Sequence, residues 1–177
     1  MCKALEAFFR SLAIRPPPPG TKILFAGTSY EKGKVSEVDP LGMATRLCPG
    51  VRMEAMEGRL PLLDAVKALQ GADRLLFFGS DDPGYTPSRL HQYLLAGKPV
   101  LAVLHKESPA CRLAEKMGML GVAPFMSGEI PAQIAKRIAS LDWERPVSPG
   151  EGVCTANRMT RELCKLFDKS LAGLERN

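Results

Sequence analysis

Short apolar runs alternate with amphipathic stretches along the 177 residues, the pattern of a parallel α/β sheet with helical crossovers. Residues 2–14 place Ala4, Leu5, Phe8, Phe9 and Leu12 on one helical face. "RPPPPG" then stops that helix, because four prolines cannot continue it. "KILFAG" predicts the first strand, and its near-continuous apolar character predicts a sheet covered on both faces. "DPLGMATRL" predicts a short helix capped by Asp39 with Pro40 in its first turn. "GVRMEAM" is a weaker strand, and "PLLDAVKALQGA" a helix between Pro61 and Gly71. "RLLFFG", "KPVLAVL" and "MLGVAPF" complete about five strands. Helices follow them at "PSRLHQYLLAG", at "SPACRLAEKMG" with Ser108 as cap, and at "EIPAQIAKRIASL". The expectation is a Rossmann-like, three-layer α/β domain over residues 1–141 with a mostly parallel sheet. A Pro/Gly-rich linker follows at 142–152, and an amphipathic helix at 153–173 carries Met159, Leu163, Leu166 and Phe167 at helical spacing. That helix is expected to pack back on the domain or on a second half outside it.

Composition adds limits. Hydrophobic residues make up 45% and charged residues 24%, as in soluble globular chains, and no apolar run approaches the ~20 residues of a membrane span. The first residues lack an apolar signal region with a small-residue cleavage site. Five cysteines in no CxxC pair suit reduced thiols in the cytoplasm, and no Cys/His cluster has metal-ligand spacing. The net charge of +5 is spread along the chain. It favours anionic ligands and leaves peripheral contact with lipid headgroups open, while the lack of a basic stripe interleaved with aromatics argues against nucleic acid.

Ligands of open parallel sheets bind beyond the carboxyl ends of the strands. Three loops there concentrate Gly, hydroxyl and charge: "GTSYEKGK", "GSDDPGYTPSR" and "HKES". In the first, Gly27, Thr28 and Ser29 could bond a phosphate or sugar; it is neither a Walker loop nor GxGxxG. In the second, Thr86 stands as helix cap with Pro87 after it, so the amides of Ser88 and Arg89 would face an anion at the positive end of the dipole. Gly84 clears room for a ligand near the backbone, and Asp81 and Asp82 could hold a metal or a sugar hydroxyl or simply make the turn before Pro-Gly. His105, at a strand's carboxyl end, could donate to a hydroxyl or phosphate, whereas His91 is expected to pack. Spacing leaves both readings of these loops open, as ligand sites or as solvated turns.

The run "GSDDPGYTPSRLHQYLLAGKPVLAVLHKES", with "FAGTSY" before it and "TANRMTRELCKLFD" after it, resembles the carboxyl-terminal half of bacterial GT-B glycosyltransferases of group 1, the family 4-like proteins. The resemblance spans roughly residues 3 to 170 in the right order. It implies a domain that binds a nucleoside-diphosphate sugar as substrate, without metal or other cofactor. The diphosphate would rest on Thr86–Arg89, with Tyr85 beside it. It also implies an acceptor-binding partner or amino-terminal half, so this chain is expected to be a donor-binding half that transfers a hexose only when completed. Many such proteins carry two glutamates seven residues apart, the second contacting ribose. Here Gln92 holds that second place and the first falls near Gly84, which favours binding over catalysis and makes a non-catalytic nucleotide-binding module the alternative.

Overall fold

The computed structural model describes residues 2–26, 39–56, 58, 60–85, 89–144, 160–161 and 164–165. Its elements are α1 (Cys2–Ile14), β1 (Lys22–Ala26), α2 (Pro40–Leu47), β2 (Arg52–Met56), α3 (Leu62–Gly71), β3 (Leu75–Phe78), α4 (Leu90–Leu95), β4 (Val100–His105), α5 (Pro109–Lys116), β5 (Val122–Phe125) and α6 (Pro131–Ser140). This is the expected α/β order, and every strand pairing among them is parallel. The five strands nevertheless form two sheets, β1–β2 and β3–β4–β5, where one sheet was expected.

Alternation along the strands builds the layers, since successive side chains point to opposite faces. Leu101 and Val103 of β4, with Ala123 and Phe125 of β5, join Ile134 and Ile138 of α6 and the buried face of α1 in one core. Val100, Ala102 and Leu104 turn the other way, onto Leu90 and Leu94 of α4 and Ala110, Cys111 and Ala114 of α5. β4 is buried along its whole length, as a central strand between two helical layers must be.

α1 joins the two sheets. Phe8 lies on Phe78 of β3 with ring centroids 5.5 Å apart, and Phe9 lies on Phe25 of β1 at 6.1 Å. Ala4, Leu5, Ala7, Phe8 and Phe9 are all buried, so the apolar face read from the sequence is the face that packs. On β1 the expectation of two covered faces fails. Ile23 is buried toward α1, but Leu24 is 43% exposed and Ala26 is exposed too. α3 has no buried residue, and its Leu69 packs instead against the cluster on the outer side of β3–β5.

Helix ends follow local chemistry. The Asp39 carboxylate accepts the Gly42 amide (2.9 Å) ahead of α2. Ser108 Oγ accepts the Cys111 amide (3.1 Å) ahead of α5, with Pro109 in the first turn. α5 ends where Gly118, at φ +67°, lets Gly118 N–H reach Glu115 O (2.9 Å) and Met119 N–H reach Ala114 O (3.1 Å). Replacing Ser108 with Ala orphans that buried amide. The expected cost is about 1 kcal/mol in a denaturant titration, largely restored by Ser108→Thr. A Ser108→Ala midpoint equal to wild type would show that the cap contributes nothing.

Candidate functional site

Because β3, β4 and β5 run parallel, their carboxyl ends share one edge, and the described loops leaving it carry hydroxyl, carboxylate and amide groups. Gly79 sits where β3 ends against β4, donating its amide to Val103 O at 2.8 Å. A Cβ there would come 3.1 Å from Leu104 Cδ2 and 3.3 Å from Val103 O, so glycine permits the close approach. Beyond it, Asp82 organises the turn. Its amide donates to Ser80 Oγ (3.2 Å), its Oδ1 accepts the Gly84 amide (2.8 Å), and its carbonyl accepts the Tyr85 amide (3.2 Å). Asp82 Oδ1 therefore makes the Asx turn that the Asp-Asp-Pro-Gly string allows. Gly84 and Tyr85 are exposed on the far side of that turn.

His105 does not face solvent. It is buried with its ring edge-on to Phe125, centroids 5.6 Å apart. Its Nδ1 accepts the Glu107 amide (3.3 Å), which leaves Nε2 to carry the proton and donate to Ser127 Oγ (3.0 Å). Both ring nitrogens are thus spent inside the protein. The expected sugar or phosphate donor is instead the residue that ties the loop after β4 to the loop after β5. Arg112 Nη1 adds a bond to Glu107 O (2.6 Å).

The loop after β5, Met126–Ile130, belongs to the same edge and was absent from the three loops singled out in the sequence. The Glu129 carboxylate accepts the Met126 amide (3.2 Å) and pairs with Arg137 of α6 at 2.9 Å. Lys3, in the first turn of α1, bonds the carbonyl of Ser127 and lies 3.7 Å from the Asp81 carboxylate, so one ammonium ties the β3 loop to the β5 loop. Lys3 and Ser127 are 124 positions apart, and no local spacing could have announced them. The Ser127-Gly128-Glu129 string was the one available signal, since it has the Gly, hydroxyl and charge of the other three loops.

α4 begins later than expected. Its first helical residue is Leu90, Arg89 holds the cap position, and it is six residues long. Arg89 O accepts the amides of Gln92 and Tyr93 (3.0 and 3.3 Å). Thr86, Pro87 and Ser88 lie outside the described residues, as do Gly27, Thr28 and Ser29. So short a helix has little dipole to offer an anion, and any attraction here falls to the Arg89 guanidinium itself. Burial pushes the Tyr93 phenol above its ordinary pKa, while the neighbouring Arg89 charge pulls it back. Tyr93 packs on Phe77 (5.2 Å), Leu90 and Leu94 face the core, and Arg89, His91 and Gln92 are exposed. His91, expected to pack, is therefore on the surface.

Two thiols are buried, Cys111 in α5 and Cys48 at the end of α2. Burial, and after it the Glu115 carboxylate, pushes the Cys111 thiol up to about 11, and burial also raises Cys48. Thiols so shifted are protonated at neutral pH and are poor nucleophiles. Among the described residues, no three His, Cys, Asp or Glu side chains are grouped to hold a metal, and no helix is long and apolar enough to cross a membrane.

The described edge therefore brings together Asp81, Asp82, Gly84 and Tyr85 after β3, Lys106–Ser108 after β4, and Ser127–Glu129 after β5, with Lys3 across them and Arg89 and Gln92 on the following helix. No family model, no curated protein and no solved structure matches the chain.

Proposed function

We propose that this chain binds the nucleoside-diphosphate sugar of a GT-B-type hexosyl transfer along the carboxyl edge of β3–β4–β5, with an acceptor-binding partner needed for turnover. The observation that carries the reading is the shared edge itself. Three loops leave parallel strands on the same side and are cross-tied there by Lys3 and His105, while Glu129 braces the β5 loop from within, so their polar groups are held in place before a ligand arrives. Such preorganisation lowers the entropic cost of binding. The exposed Tyr85 ring offers a surface for a base or sugar, and the exposed Arg89 offers a guanidinium to a diphosphate.

Transfer itself would need both walls of a cleft to position donor and acceptor. The role of this half is electrostatic: cations at the edge stabilise the diphosphate as it leaves. Gln92, exposed one turn beyond Arg89, favours a second reading as a non-catalytic nucleotide-binding module. A neutral amide can bond a ribose hydroxyl but cannot accept two such bonds as an anion.

Calorimetric titration with UDP-, GDP- and ADP-sugars tests the proposal. Binding of at least one is expected, and silence from all three up to millimolar concentration would defeat it. Binding with no hydrolysis or transfer to any acceptor would favour the second reading. Arg89→Ala is expected to weaken the bound nucleotide by about 1–3 kcal/mol, the size of a lost charge-assisted hydrogen bond. Equal affinities for mutant and wild type would take Arg89 out of the site.

A further inference from the structure

β1 and β2 run parallel with Lys22 opposite Arg52, so the turns that lead into them stand side by side. Both are Pro-Gly turns. Pro18-Pro19-Gly20-Thr21 is closed by the Thr21 amide on Pro18 O (3.2 Å), with Gly20 at φ +82° as a type II turn requires. Cys48-Pro49-Gly50-Val51 is closed by the Val51 amide on Cys48 O, also at 3.2 Å. Leu12 and Ala13 in the last turn of α1, with Leu47 at the end of α2, complete the walls of a recess of ≈330 Å³ lined by both turns. It shares no residue with the carboxyl edge of β3–β5 and stands apart from nucleotide binding.

We propose that this recess binds a small uncharged aromatic molecule, of one or two fused rings, that carries a hydrogen-bond donor. Size is the first argument. Ligand cavities begin at about 300 Å³, so the recess holds one ring system rather than an extended peptide. The second argument is the character of the walls. Pro16–Pro19 and Pro49 line the recess, and proline rings pack on aromatic faces wherever Pro-rich segments are recognised. Proline also fixes φ at about −65°, so these walls hold their shape before a ligand arrives, which lowers the entropic cost of binding.

The third argument is the supply of polar groups. None of the described lining residues is charged, and a proline has no N–H to offer an anion. The Thr21 and Val51 amides are spent in closing the turns, and Thr21 Oγ1 donates to Pro18 O (2.7 Å). The carbonyls of Pro16 and Pro17 accept no bond from a described residue. Walls richer in acceptors than in donors refuse an anion and match a ligand N–H or O–H.

Ligand-observed NMR on the full chain, with indole as the probe, tests the proposal. Indole is expected to bind with a Kd on the order of a millimolar, as so small a ligand does. 1-Methylindole keeps the rings without the N–H and is expected to bind about fivefold more weakly. Indole-3-carboxylate is expected not to bind at concentrations that saturate with indole. Ala13→Phe and Gly50→Phe each put a ring of the chain's own into the recess, and both are expected to abolish indole binding. Ala13 is exposed and a Cβ at Gly50 meets nothing within 4 Å, so both variants are expected to melt close to wild type. Silence from indole at ~10 mM, equal binding of 1-methylindole or of the carboxylate, or indole binding that survives both substitutions overturns the proposal. So does N-acetyltryptophanamide binding about tenfold more tightly than indole, which would assign the recess to a side chain of a partner protein.

Discussion

Replacing Phe8 with Ala is expected to lower stability by about 3–5 kcal/mol, with a fall in melting temperature on the order of 10 °C. Phe8 is almost wholly buried in the centre of α1 and packs on Phe78 and Phe9 with centroids 5.5 and 5.7 Å away. Truncation therefore loses the transfer energy of the ring, leaves a cavity, and removes two aromatic pairs at once. The site cannot collapse cheaply, because its walls belong to different elements: α1 on one side and β3 on the other. Since α1 also spans to β1 through Phe9 and Phe25, loosening it should weaken the joint between the two sheets. Chemical denaturation monitored by tryptophan fluorescence and by circular dichroism checks this. A loss under about 1 kcal/mol would mean that α1 is not the joint described.

Gly121→Ala is the second large effect, of the opposite kind. Gly121 precedes β5, and its carbonyl accepts the Ala102 amide at 2.8 Å. A Cβ added there would overlap the Val100 carbonyl oxygen and come 2.8 Å from Trp143 Cβ. The obstacle is backbone of the central strand, which cannot rotate aside as a side chain could. β4 and β5 must separate at their amino ends, and the expected cost is about 3 kcal/mol. Gly128→Ala makes the control, because its added Cβ meets nothing within 4 Å. Equal stabilities for the two variants would contradict the close approach at Gly121.

The two substitutions show which parts of the fold were legible in the sequence. The α1 face could be read because helical spacing is local, and Phe8 and Phe9 fall on it whatever lies opposite. The caps at Asp39 and Ser108 could be read for the same reason, since a side chain bonding an amide three residues on is a property of that short stretch. Gly121 could not be read as a constraint, because what it must avoid is Val100, across a strand pairing. The division into two sheets was equally hidden. "KILFAG" has the apolar run of a strand covered on both faces, yet whether a helix lies over Leu24 depends on how α3 packs.

The same division runs through the candidate site. The carboxyl edge and the turn at Asp82 follow from the alternation of strands and helices and from local turn chemistry, whereas the exposure of His91, which the sequence reading expected to pack, does not. His105 was misjudged because its position at a strand end does not say which way the ring points. Phe125, Ser127 and Glu107 turn it inward, and two of those three lie on or beyond the neighbouring strand.

By itself, then, the sequence determined the order and type of the described elements, the caps at Asp39 and Ser108, the buried face of α1 and the edge where polar loops gather. These depend on periods of two or 3.6 residues and on bonds spanning three or four. Only the tertiary structure decided that the strands divide two and three, that Lys3 crosses from Asp81 to Ser127, that His105 faces inward and that Leu24 of β1 is left exposed. Each of these depends on residues far apart in the chain meeting at a distance of a few ångströms, and a one-dimensional pattern carries no record of that meeting.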